Sequence, residues 1–167
     1  TFDEDAGGWW GWISNAGGLK PLERGPSTVT TRSPWWIDYN HAPPGAGYLH
    51  MLLGLNTSGP QGEAVREAGG PNRYIEGGFP VDLRDAELSI RVRGELLTRD
   101  ADFVLLVQGG VEGITSGWAL TGQPIEVTED WATRTLRLVP DESQWTALGS
   151  RRGREDMYGV KPLERVL

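Results

Sequence analysis

Glycine and proline decide most of what this chain can become. There are 24 Gly and 11 Pro in 167 residues, and they interrupt nearly every stretch long enough for a helix. In a helix interior Gly costs about 1 kcal/mol and Pro about 3 kcal/mol relative to Ala. Only 60–68, with Glu63, Ala64, Val65, Arg66 and Glu67, and 141–148 are free enough of breakers for short helical turns.

Strand patterns fill the spaces that remain. In 86–93, Leu88, Ile90 and Val92 alternate with Glu87, Ser89, Arg91 and Arg93. Side chains alternate across a strand, so one face is buried and one is wet. In 131–139, Leu136 and Leu138 alternate with Thr133, Thr135 and Arg137. The 102–107 stretch is more continuously apolar, as a central strand is. Tyr48–Leu55 sets Leu49, Met51 and Leu53 against Tyr48, His50 and Leu52. Further candidates are 9–14, 28–32, 117–121 and 124–127. Short strands between Gly/Pro turns predict an all-β fold, a two-sheet antiparallel β-sandwich of jelly-roll type with long loops at 34–47 and 56–80.

The whole of 1–167 reads as one sandwich domain. Residues 160–167 resemble the approach to a strand that the sequence does not go on to supply, so either a missing C-terminal strand or pairing supplied by another element is expected. Thr1 stands where a Met is absent and no signal-type apolar segment comes after it. That fits a processed or excised domain, and equally a chosen boundary. Lys-Pro-Leu-Glu-Arg occurs at 20–24 and again at 161–165, which does not amount to a repeat architecture.

Several function classes drop out. No apolar run approaches the ~20 residues of a membrane span. With no Cys there is no disulfide framework, thiolate zinc site or cysteine nucleophile. A net charge of −7, with neither half basic, argues against a nucleic-acid partner. No Gly-rich phosphate loop and no isolated carboxylate pair stands out.

What does stand out is tryptophan, at 8 residues. Trp9, Trp10, Trp12, Trp35 and Trp36 fall near the N-terminus; Trp118, Trp131 and Trp145 lie in or beside strand patterns. A flat indole matches the C–H face of a sugar ring and loses few rotamers on binding. Neighbours in an extended chain point to opposite faces, so the pairs Trp9/Trp10 and Trp35/Trp36 each place one ring away from a common core. The N-terminal cluster is therefore the expected ligand site, and the scattered three are expected core. Asp38, Tyr39, Asn40 and His41 come directly after and add polar groups for orienting hydroxyls.

The opening Phe2-Asp3-Glu4-Asp5-Ala6-Gly7-Gly8-Trp9 resembles the start of extracellular jelly-roll carbohydrate-binding modules. Trp131 through Trp145 looks like their penultimate region, a Trp before an alternating strand and a second Trp after it. The spacing is also similar to the laminin type IV domain and its bacterial relatives. The resemblance covers the two ends of the chain. It implies an extracellular or cell-surface module that binds a polysaccharide, without catalysis, beside neighbouring domains of a larger protein. It also implies a structural calcium, to which Asp3, Glu4 and Asp5 would contribute.

A second resemblance is to polysaccharide lyases of jelly-roll type. Arg91-Val92-Arg93-Gly94-Glu95-Leu96 is similar to their Arg-x-Glu-Leu strand with altered spacing, and their Gln-x-His strand has no counterpart. In that reading Arg91 and Gln108 hold a uronate carboxylate while His50 or Tyr48 moves the proton. A third reading is an interaction sandwich without a small ligand, in which the Trp are core.

Overall fold

In the computed structural model, the alternation at 86–93 and 131–139 becomes one antiparallel ladder. β6 (Ala86–Val92) pairs with β9 (Ala132–Leu138), from Ala86 opposite Leu138 to Val92 opposite Ala132. The structure describes residues 2–13, 18–30, 52–53, 67, 69–96, 102–148 and 161–167. These form two units, Thr1–Val81 and Asp82–Leu167, built mostly of strands with few helical turns.

The second unit holds the larger core. Besides the β6–β9 ladder it has a three-stranded antiparallel sheet, in which β8 (Ile114–Ala119) lies between β7 (Leu106–Val111) and β10 (Thr146–Leu148). Trp118, Leu120, Ile125, Leu136, Leu138 and Trp145 form a buried cluster, joined by Leu163 and Leu167. Leu88, Ile90 and Val92 of β6 and Val107 of β7 pack against it. Both sheets thus contribute their apolar sides to one cluster. The two buried indoles are also satisfied as donors: Trp118 Nε1 donates to the Lys161 carbonyl at 2.9 Å and Trp145 Nε1 to the Val139 carbonyl at 3.0 Å. Such pairing is what buried Trp requires.

The first unit is made of short strands. β1 (Trp9–Ile13) pairs with β2 (Gly18–Lys20) on one side and with β5 (Leu52–Leu53) on the other. β3 (Glu23–Gly25) and β4 (Thr28–Thr30) make a hairpin around Pro26-Ser27. Helical turn α1 (Arg73–Glu76) is capped by Asn72, whose side chain accepts from the Tyr74 and Ile75 amides, the usual remedy for the unpaired first N–H groups of a helix. Asn72 also packs on Gly8. A Cβ at Gly8 would sit 2.8 Å from Asn72, and φ there is +91°. The Gly before Trp9 is therefore fixed by packing and by a left-handed backbone together.

Four expectations are corrected. The strand expected at 102–107 lies at Leu106–Val111. Its position is set by the two-residue turn Glu112-Gly113, with φ of 52° and 77°, which joins it to β8 as primed hairpin turns do. At 124–127 no strand forms. Ile125 is nevertheless buried, and its N–H donates to the Phe103 carbonyl at 2.7 Å. At 141–148 the helical turn covers only Glu142–Gln144, capped by Asp141, and the chain then enters β10. In place of an approach to a strand at 160–167, Leu163–Val166 forms a helical turn, α2. Leu163 and Leu167, four apart on one helical face, both join the core cluster, and the Leu167 carbonyl accepts from the Leu83 amide at 2.8 Å. Of the helical stretch expected at 60–68, only residue 67 is described.

Candidate functional site

The outer side of the β6–β9 ladder carries the most distinctive surface. Strand parity places Glu87, Ser89 and Arg91 on it from β6, with Arg93 one residue past the strand, and Thr133, Thr135 and Arg137 from β9. The register makes three cross-strand pairs there: Glu87 with Arg137, Ser89 with Thr135, and Arg91 with Thr133. The first is an ion pair at 3.7 Å, and the second brings two hydroxyls to 3.5 Å. Continuing the register by one step sets Trp131 opposite Arg93.

There the pattern changes from paired polar groups to an indole with two guanidiniums over its ring. Trp131 is 40% exposed, unlike Trp118 and Trp145 at 5% each. Arg91 Cζ lies 5.1 Å from its ring centroid and Arg93 Cζ 4.9 Å, within the range of a cation–π contact. Arg91, on β6, and Arg93, just past its end, thus converge on one ring. The expectation that Trp131 belongs to the core is corrected. Parity accounts for it: with Leu136 and Leu138 inside, odd-numbered residues face outward, and Trp131 is in step with Thr133 and Thr135. The same alternation that located β9 carried this signal.

A guanidinium stacked on an indole keeps its N–H donors in the plane of the fork, free to meet a planar anion side-on. Among the described residues, Arg91 and Arg93 make neither a hydrogen bond nor an ion pair. The other cations described in this unit all have carboxylates: Arg84 has Asp82, Arg134 has Glu126, Arg137 has Glu87, and Lys161 and Arg165 share Glu112.

The other expected site residues are dispersed. Trp9 and Trp10 are half-buried in β1, opposite Leu53 and Leu52 of β5. Trp12 lies on the same strand, opposite Leu19. Trp35, Trp36, Asp38, Tyr39, Asn40, His41, Tyr48 and His50 lie outside the described residues. Gln108 is exposed on β7, in the other sheet from Arg91. Each alternates with residues that pack on the core cluster, so the described structure does not bring these two together.

Asp3 is directed to the Ser27 turn, while Glu4 and Asp5 both face the Arg73 guanidinium. Asp3 Oδ1 accepts from the Ser27 amide at 2.9 Å and from its hydroxyl at 2.6 Å. That fastens the hairpin turn where Ser27 has φ of 55°. Asp5 accepts from the Gly7 amide at 2.7 Å and faces Arg73 at 3.0 Å. The Gly7 N–H and then the Arg73 guanidinium hold its carboxyl below the usual carboxylate range. Glu4 is 3.8 Å from the same guanidinium. As placed, the three do not surround one point, and among the described residues no three His, Asp or Glu side chains group as metal ligands would. An open hollow of about 200 Å³ lies between Glu4, Asp5, Pro21, Arg24 and the Gly69-Gly70 backbone. This is smaller than the roughly 300–1,000 Å³ of ordinary small-molecule sites.

Compared with known protein families, with curated proteins and with solved structures, the chain matches none. No helix among the described residues is long and apolar enough to cross a membrane.

Proposed function

We propose that this protein is a non-catalytic glycan-recognition module of an extracellular protein, folded as a jelly-roll β-sandwich, and that Trp131 with Arg91 and Arg93 forms its sugar-binding surface. The observation that carries this reading is an indole left 40% exposed at the end of a strand ladder whose other Trp neighbours are core. Single exposed aromatics are common on folded domains; what sets Trp131 apart is the pair of guanidiniums over its ring. The uncovered part of the ring offers an apolar area of the kind that a pyranose C–H face covers. The flanking N–H donors supply the directed polar contacts that select among sugars. Trp9, Trp10 and Trp12 are a second aromatic group on β1, in the first unit.

Retention of the full chain in native gels containing immobilised polysaccharide tests the reading. Trp131→Ala is expected to abolish the retardation that the unaltered chain shows. Equal retardation of both proteins, or none of either across neutral and acidic polysaccharides, would remove Trp131 from this role.

A further inference from the structure

The two arginines on Trp131 are set in a surface where acid is plentiful. The chain has 23 Asp and Glu against 16 Lys and Arg. In the second unit every other described cation has taken a carboxylate partner. Arg91 and Arg93 have not, although Glu95 lies two residues past Arg93 and Glu129 and Asp130 directly precede Trp131, all three exposed. Their distances to the Trp131 ring, 5.1 and 4.9 Å, bring two positive charges to one aromatic group. Like charges that close repel unless something between or beyond them is negative. The ring's π-face supplies a little of that. It leaves both forks of donors unfilled.

We infer that this surface selects anionic glycans, with Arg91 and Arg93 receiving a carboxylate or sulfate group of a sugar whose ring covers Trp131. This rests on the glycan-binding reading and adds the substrate class to it. The chemistry is shared by uronates and sulfate esters. Both present two or more oxygens to a guanidinium fork, which is the geometry Arg binds bidentately and Lys does not. Arg137, further along the same face, is held by Glu87, so the unpaired positive charge is confined to the Trp131 end. The opposing phosphate-backbone reading, bases stacked on Trp131 with arginines on phosphate, has a net charge of −7 against it. It enters the test as a competing outcome.

The test uses the full chain and four probes: polygalacturonate, dextran sulfate, uncharged dextran and a single-stranded oligothymidylate. Binding to polygalacturonate or dextran sulfate is expected to exceed binding to dextran, and to weaken as salt rises. Which of the two binds distinguishes carboxylate from sulfate as the natural group. Arg91→Gln and Arg93→Gln are each expected to raise the Kd for the acidic polymer about tenfold, the scale of one lost charge-assisted hydrogen bond. Arg→Lys at either position, which keeps the charge and loses the fork, is expected to recover only part. Unchanged thermal unfolding of these surface variants separates a binding loss from a folding one. Dextran bound as tightly as the acidic polymers, with Trp131→Ala abolishing it and Arg→Gln leaving it intact, would overturn the anion inference and leave the glycan reading standing. No retention of any polysaccharide would overturn both. Oligothymidylate bound more tightly than the polysaccharides would overturn them in favour of a nucleic-acid partner.

Discussion

The pentapeptide Lys-Pro-Leu-Glu-Arg occurs twice and folds two ways. At 20–24 it is extended: Lys20 closes β2, Pro21 and Leu22 cross over, and Glu23 and Arg24 open β3. At 161–165 it enters the helical turn α2, with the Arg165 amide donating to the Pro162 carbonyl at 2.9 Å. The five residues are identical, so their propensities are identical, and the difference has to come from the residues after them and the surfaces they pack on. After Arg24 comes Gly25-Pro26-Ser27, which turns the chain back into β4. After Arg165 come Val166 and Leu167, and Leu167 returns to the face of Leu163. In both copies the Leu is the buried residue, Leu22 at 9% and Leu163 at 0% exposure. Local preference is a weak prior here, and burial of one leucine organises either conformation.

The comparison is easiest to break at those leucines. Leu163→Ala is expected to cost about 3–5 kcal/mol, the range for deleting a fully buried leucine side chain. Leu22→Ala, at a buried position outside the core cluster, is expected to cost about 2 kcal/mol. Urea unfolding of the full chain, monitored by circular dichroism, measures both. Equal costs at the two positions would mean that the second copy does not depend on the core cluster.

A smaller effect separates the turns. Ser27 holds φ at 55°, a region where a residue other than Gly is strained. Asp3 meets its amide and its hydroxyl. Asp3→Ala is expected to destabilise the β3–β4 hairpin by about 1 kcal/mol. Adding Ser27→Gly is expected to restore part of that, because glycine adopts this φ without strain. A double-mutant cycle on unfolding midpoints checks it; strictly additive losses would show that Asp3 does not hold the turn.

Much of the fold is legible where the sequence alternates cleanly. β6 and β9 emerge from Leu88, Ile90 and Val92 and from Leu136 and Leu138, since a half-buried strand writes its two faces into every second residue. β1 and β4 emerge at 9–14 and 28–32 for the same reason. The C-terminal turn is not legible, because Leu163 and Leu167 are just two apolar positions and their shared face exists only once the core is there to receive it. The exact span of β7 depends on Glu112 and Gly113 adopting left-handed φ, and Glu gives no sequence hint of that. Trp131 is legible in principle. Its parity with Thr133 and Thr135 is present, but its type argues for burial and its position argues for exposure. The arginines converge on it only through a cross-strand register, which no single stretch of sequence contains.

The smallest effect is a pH dependence that the second copy should show more strongly than the first. In the second copy, Lys161 and Arg165 both donate to Glu112, at 2.7 and 2.6 Å. These contacts, Lys161 first, hold the Glu112 carboxyl down to about 2 from its ordinary 4.5. A depressed folded-state pKa means the contribution is fully present above pH 4.5 and is lost as pH falls toward 2. Glu112 is 53% exposed, so salt and water screen the effect and it stays modest. In the first copy Arg24 donates to the Glu4 backbone carbonyl, which does not titrate, and its charge is the least of the influences that hold the Asp5 carboxyl down. Amide hydrogen exchange reads the local result, because the Leu167 amide donates to the Leu163 carbonyl and the Leu83 amide to Leu167. Exchange at Leu83 and Leu167 is expected to quicken between pH 4.5 and 2 beyond the intrinsic pH trend. Glu112→Gln is expected to remove that step while leaving the amides of β3 and β4 unaffected. A step that survives in Glu112→Gln would mean that another carboxylate at α2, Glu142 on the Leu163 amide or Glu164 beside Arg84, sets it and that the Lys161 and Arg165 pairs with Glu112 are incidental.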